Sequence, residues 1–221
     1  MNELLFFAHT VIISLFTVIS LKISKETLVT TIAIYCILAN LFVLKQITLF
    51  GLHPTASDAF SVGAILGLNL LQEYFGKHAA KKAIWTCFFA LTLYTIVSQI
   101  HLLYLPSIHD ITSAHYDPIL TFMPRIALAS ISVTLLVQHI DRILYAFLKT
   151  KFQNKQFLLR NLISLFLVQI IDTVLFSFAG LYGIISNIGD VILVSFLVKV
   201  ATILISVPLI SIFRKKTTQS S

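Results

Sequence analysis

Apolar residues run along this chain in seven windows, each long enough to form a membrane-crossing helix or nearly so: Leu4 to Leu21, Leu28 to Leu44, Ala59 to Phe75, Ala83 to Leu105, Thr121 to Leu148, Leu158 to Tyr182 and Val191 to Phe213. A helix rises about 1.5 Å per residue, so roughly 20 apolar residues match the hydrocarbon thickness of a bilayer. The pattern predicts an all-α fold: a polytopic transmembrane helix bundle of six to seven spans. It forms one integral membrane domain over residues 1–221, with no room for a separate soluble domain. The third window is the weakest, because Gly63, Gly67, Asn69, Gln72 and Glu73 interrupt it. Such a segment suits the interior of a bundle or the wall of a cavity better than a lipid-facing surface.

Two of the windows carry the same polar insertion. Leu136-Val137-Gln138-His139-Ile140-Asp141 is echoed by Leu167-Val168-Gln169-Ile170-Ile171-Asp172. Each copy sets an amide and a carboxylate three residues apart, on one face of a helix. The fifth and sixth windows run in opposite directions, and transporter sites are often built near the midplane from inverted elements. A carboxylate in hydrocarbon is costly, so each Asp calls for a partner or a ligand.

Composition reinforces the class: 57% of residues are hydrophobic and 11% charged, against roughly 25% charged in soluble domains. The net charge of +7 is distributed as a topology signal. Lys22 and Lys25 follow the first window, Lys77, Lys81 and Lys82 the third, Lys149, Lys151, Lys155 and Arg160 the fifth, and Arg214, Lys215 and Lys216 the last. All fall on one side under alternation, whereas the opposite connections hold Lys45, Asp58, Asp110, Asp117 and Asp190. Basic loops stay in the cytoplasm, so the N-terminus is expected outside and the C-terminus inside. The first window lacks a basic leader and an A-x-A-like cleavage site, and is read as a span. Nucleic-acid binding is not expected, since no folded basic reader domain is visible.

Motifs for other chemistries are missing from the sequence. It has no G-x-x-x-x-G-K-[ST] phosphate loop, no G-x-S-x-G, no H-E-x-x-H and no Cys/His ligand spacing. The chain is therefore not expected to be an enzyme, to hydrolyse ATP itself, or to need a metal or cofactor. Cys36 and Cys87 are read as packing residues.

Candidate binding groups gather in three windows. Asn69, Gln72 and Glu73 share a helical stripe in the third, where Glu73 either pairs with Lys77 four residues on or faces a cavity. Arg125 opens the fifth, before the small residues Ala127, Ala129, Ser130 and Ser132; it either snorkels or binds. Gln138 and Asp141 follow, Asp141 lying beside Arg142 toward the cytoplasmic side. The sixth holds Asn161, Gln169, Asp172, Phe176 and Phe178. Lys199 is the only Lys at a depth comparable with Asp172. Pairing would neutralise both, and a pair opened by substrate or a proton becomes a coupling device.

Asn69-x-x-Gln72-Glu73-Tyr74-Phe75-Gly76 with Ala79-Ala80-Lys81-Lys82, Arg125-Ile126-Ala127 with Ala129-Ser130, Gln138-x-x-Asp141, and Asn161-x-x-Ser164 with Asp172-Thr173 and Phe176 together carry a family resemblance over roughly residues 27–213. In order and spacing this succession resembles the queuosine precursor transporters, formerly grouped as vitamin uptake transporters. The resemblance implies a multi-pass protein of the bacterial inner membrane that imports queuine, 7-cyano-7-deazaguanine or 7-aminomethyl-7-deazaguanine for queuosine modification of tRNA. A guanine-like edge presents adjacent N–H donors that a carboxylate accepts as a pair, while Gln or Asn donates to the carbonyl. On that basis Glu73 or Asp172 is the expected edge reader, with Gln138, Gln169 and Asn161 as amide partners and Tyr74, Phe176 or Phe178 as stacking surfaces. A self-sufficient carrier, a substrate-capture subunit of an ATP-driven complex and a non-transport assembly protein remain distinct readings. Homo-oligomerisation is likewise open.

Overall fold

The computed structural model describes residues 1–151 and 157–218, and its side chains at 1–141, 143, 144, 147, 148, 150, 151, 163 and 166–203. The described residues form helices α1 (Asn2–Ile23), α2 (Lys25–Phe42), α3 (Asp58–Leu102), α4 (Ser113–Leu120), α5 (Met123–Lys151), α6 (Phe157–Phe176) and α7 (Ile188–Thr218). A π-helical turn, Ser177–Leu181, extends α6. No strand longer than an isolated bridge occurs among the described residues. The fold is all-helical.

Among the described residues, four stretches are long and apolar enough to cross a membrane: Asn2–Ile23, Lys25–Phe42, Asp58–Leu102 and Ser113–Asp141; Phe166–Leu181 is a shorter apolar helix. The 45 residues of α3 would extend roughly 67 Å if straight, about twice the hydrocarbon core. They do not run straight, because Gly76 adopts φ 82° and ψ 168° and breaks the helix. A left-handed φ suits a residue without Cβ, so one glycine divides α3 into the arms read as the third and fourth windows. Both arms return to α2: Leu70 and Leu71 from the first, and Ala79, Ala83 and Cys87 from the second, pack on Leu28 and Ile32.

Other boundaries have equally local causes. Ser24 is extended between α1 and α2, and its hydroxyl accepts from Thr27 N–H at 3.0 Å, capping α2. Phe50 and Gly51 both have positive φ in the tight turn that closes Leu49 onto Leu52. Pro124, which has no N–H to donate, stands in the first turn of α5. The short helix α4 lies in none of the apolar windows. Asp110 nucleates it by accepting from the N–H and hydroxyl groups of Thr112 and Ser113. Those bonds, Ser113's foremost, hold the Asp110 carboxyl well below the usual carboxylate range.

Lipid is as apolar as leucine, so close packing rather than water exclusion holds such helices together. Gly63 and Gly67, spaced four apart on α3, permit the approach of α1 and α2. A Cβ at Gly63 would stand 2.3 Å from Ile13 Cγ2 and 2.7 Å from Tyr35 Cε2; one at Gly67 would stand 2.7 Å from Ile32 Cγ1. Tyr35 then donates its hydroxyl to the Ile13 carbonyl at 3.0 Å, tying α2 to α1.

Hydrogen bonds gather the connections at one end of the bundle. Asn2 donates to the Thr48 carbonyl, Phe50 N–H to Glu3, His53 N–H to Asp190 Oδ2 at 2.8 Å, and Ser186 to Gln46. The 43–57 connection is thereby fastened to the starts of α1 and α7. Near the Gly76 break, the Lys25 ammonium stands 5.9 Å from the Phe75 ring centroid, bringing the α1–α2 junction beside it.

Candidate functional site

A cavity of about 370 Å³ lies between α2, both arms of α3, α5, α6 with its π turn, and α7. This is within the range of small-molecule sites. Its walls are largely apolar, with Tyr35, Phe88 and Phe176 as aromatic faces and Ser130, Thr134, Gln138, Gln169 and Thr173 among the polar groups. Two carboxylates, Asp58 and Asp172, also line it.

Helix α7 meets both acids along one face. Val191, Ser195 and Lys199 recur every four residues, so each lies about one turn beyond the last. Ser195 donates to Asp58 Oδ1 at 2.7 Å, and Lys199 Nζ donates to Asp172 Oδ2 at 2.7 Å and to Thr173 Oγ1 at 3.2 Å. The Asp172–Lys199 ion pair anticipated from the sequence is thus present, with side chains 27% and 14% exposed. Charge compensation differs at Asp58. It is 3% exposed, and its Oδ2 has no hydrogen-bond partner. Asn40, 5% exposed, donates to the Cys36 carbonyl at 2.7 Å, while its Oδ1 likewise lacks a partner.

The structure brings Gln138, Gln169, Asp172, Phe176 and Lys199 together on the cavity wall. It does not bring Asn69, Gln72, Glu73, Tyr74, Arg125, Asp141 or Phe178 to that wall. Gln72, Glu73 and Tyr74 are exposed in the turn before Gly76, and Asp141 is exposed on α5. Arg125 is engaged elsewhere: its Nε donates to the Ala179 carbonyl at 3.0 Å and its Nη2 to the Tyr182 carbonyl at 2.7 Å. It therefore closes the C-terminal end of the π turn, where orphan carbonyls need donors. Phe178 stacks at a tilt on Tyr182, with centroids 5.8 Å apart. The side chain of Asn161 lies outside the described residues, as do those of Arg142, Lys149, Lys155, Arg160, Arg214, Lys215 and Lys216.

Several cavity residues escaped the sequence reading. Asp58 was counted with the outer connections but begins α3, buried against Ser195; the apolar run starting at Ala59 was the signal that a helix begins there. Cys36 and Cys87 are 51 positions apart in sequence, yet both line the cavity. Tyr35 and Phe88 supply aromatic wall that no motif marked.

An apolar bundle with a ligand-sized cavity whose largely apolar wall carries a few polar groups is transporter-like, and similarity to known proteins decides the matter. Residues 59–213 match the family described as "Putative vitamin uptake transporter". The chain belongs to this family. The family match begins at the residue after Asp58 and includes both arms of α3 and all of the later cavity-lining residues. A Bacillus subtilis (strain 168) protein named "Probable queuosine precursor transporter" is 33% identical over 211 residues, covering 92% of this chain and 90% of its own length. No solved structure matches.

Proposed function

We propose that this protein imports queuosine precursors or salvage bases, namely queuine, 7-cyano-7-deazaguanine or 7-aminomethyl-7-deazaguanine, across a bacterial inner membrane for queuosine modification of tRNA. The observation that carries this reading is the near full-length similarity to the B. subtilis protein of that name. The cavity supports it physically. Its volume suits a bicyclic base with a modest substituent, and its chemistry offers amides, carboxylates and aromatic faces together.

In this proposal Gln138 and Gln169 hydrogen-bond the base, and Phe176 stacks on it. Base–aromatic stacking contributes about 1–3 kcal/mol where it has been measured in nucleic-acid binders. Asp172 and Lys199 form the polar centre that a proton or substrate opens. Seven spans follow if both arms of α3 cross the membrane. The N-terminus then faces out and the C-terminus in, with Lys22, Lys25, Lys77, Lys81 and Lys82 on the cytoplasmic side.

The test is accumulation of the three labelled bases in bacterial cells lacking both queuosine precursor synthesis and their own transporter, with this chain expressed alone. Accumulation that Asp172→Asn removes, at equal membrane abundance, is the expected outcome. No accumulation of any base by a membrane-inserted wild type would overturn the reading of a self-sufficient queuosine-precursor carrier.

A further inference from the structure

Among the described residues, two buried side-chain polar atoms have no hydrogen-bond partner: Asn40 Oδ1 and Asp58 Oδ2. Both side chains are more than nine-tenths buried, and both residues line the cavity. They also lie at the same end of it, because Asn40 is in the last turn of α2 and Asp58 in the first turn of α3, the next helix. Each is an oxygen that accepts, and no buried side-chain nitrogen stands wholly without a bond among the described residues. The remaining atoms of both groups are fixed. Asn40 Nδ2 donates one N–H to the Cys36 carbonyl, and Asp58 Oδ1 accepts from the Ser195 hydroxyl. Neither side chain is therefore free to turn and satisfy the orphan oxygen without breaking an existing bond.

Buried acceptors without donors are costly to leave unmet, and more so for a carboxylate than for an amide. The demand is one-sided: what fits here carries N–H or O–H donors and no competing acceptor on that edge. Asp172 differs, since it already accepts from the Lys199 ammonium. Of the two cavity acids, Asp58 is the one that keeps a buried carboxylate oxygen no donor meets.

We propose that Asp58 and Asn40 form an acceptor pole that reads the N–H donor edge of the transported base, the ring N–H and exocyclic amine that lie side by side on a 2-amino-4-oxo pyrimidine ring. The inference rests on the transport reading above and adds to it the residues that select for an amino-bearing base. The pole makes the exocyclic amine the selected feature, and the Asp172–Lys199 pair a separate element that does not read that edge.

The experiment measures binding of queuine, 7-cyano-7-deazaguanine and 7-aminomethyl-7-deazaguanine to purified full-length protein in detergent, each beside the analogue lacking the 2-amino group. Wild type should bind at least one amino-bearing base about tenfold or more tightly than its des-amino analogue, as expected of a site built to pair a polar group. Asp58→Asn and Asn40→Leu should each weaken the amino-bearing base and narrow that ratio, leaving the des-amino analogue nearly unmoved. A merely structural role would weaken both ligands alike and keep the ratio. Equal binding of amino and des-amino bases by wild type would overturn the inference whether or not the variants fold. So would an unchanged ratio in both variants, with the transport reading intact. Failure of wild type to bind any of the three bases would instead overturn the transport reading, and this inference with it.

Discussion

The two acids of the cavity are both held by α7, yet by opposite means. Asp172 meets an ammonium, whereas Asp58, buried more deeply, meets a single hydroxyl. At Asp172 charge is answered by charge, so the local cost lies in breaking the pair. At Asp58 the carboxylate is only partly answered, so the cost is already present in the folded protein. The first arrangement suits a strut or an exchangeable pair, and the second suits a group waiting for a donor.

Removing one partner of the ion pair should have the largest effect. Lys199→Met leaves Asp172 uncompensated and should destabilise the protein by about 3 kcal/mol, read as a lowered unfolding midpoint in detergent. The double variant Lys199→Met with Asp172→Asn should recover most of that loss, and failure to recover it would mean that the pair is not the stabilising unit. At the other acid, Ser195→Ala removes the hydroxyl donor and should cost less, about 1–2 kcal/mol. A loss as large as that of Lys199→Met would erase the contrast between the two sites.

Gly63→Ala touches neither acid and serves to separate packing from polarity. The new methyl collides with Ile13 and Tyr35, so overpacking should cost about 1–3 kcal/mol. Thermal unfolding of the alanine variant combined with Ser195→Ala should show additive losses, because the two changes share no partner. The smallest effect belongs to Asp110, outside the bundle. Its carboxyl is held below the ordinary range, so its contribution is full above the usual carboxylate pKa and disappears as pH falls through the lower folded value. Asp110→Asn should therefore flatten that acid limb slightly and shift the midpoint little, measured as unfolding temperature against pH.

Features that repeat locally were legible in the sequence. Apolar runs marked every helix except α4, and the pairing of Asp172 with Lys199 followed from their being a carboxylate and a lysine at comparable depth. Gly76 stood between an apolar window and a lysine cluster, so a break there agreed with the pattern even though its hand did not show. Long-range juxtapositions were not legible. Asp58 sits at the edge of an apolar run, where a solvated residue and a buried one have the same neighbours in sequence. Only the arrival of Ser195 distinguishes them. Glu73 shows the converse, since a helical stripe with Asn69 says which residues share a face but not whether that face meets the cavity.

The bond between Ser195 and Asp58 also has a consequence for biosynthesis, because 137 residues separate its ends. At ordinary ribosomal rates Asp58 is made on the order of ten seconds before its hydroxyl partner exists. Helices α1 to α3 must pass that interval with a carboxylate still exposed to water, to a proton or to the insertion machinery. The final helix thus completes the cavity and ends the period in which the nascent chain carries an unsheltered acid.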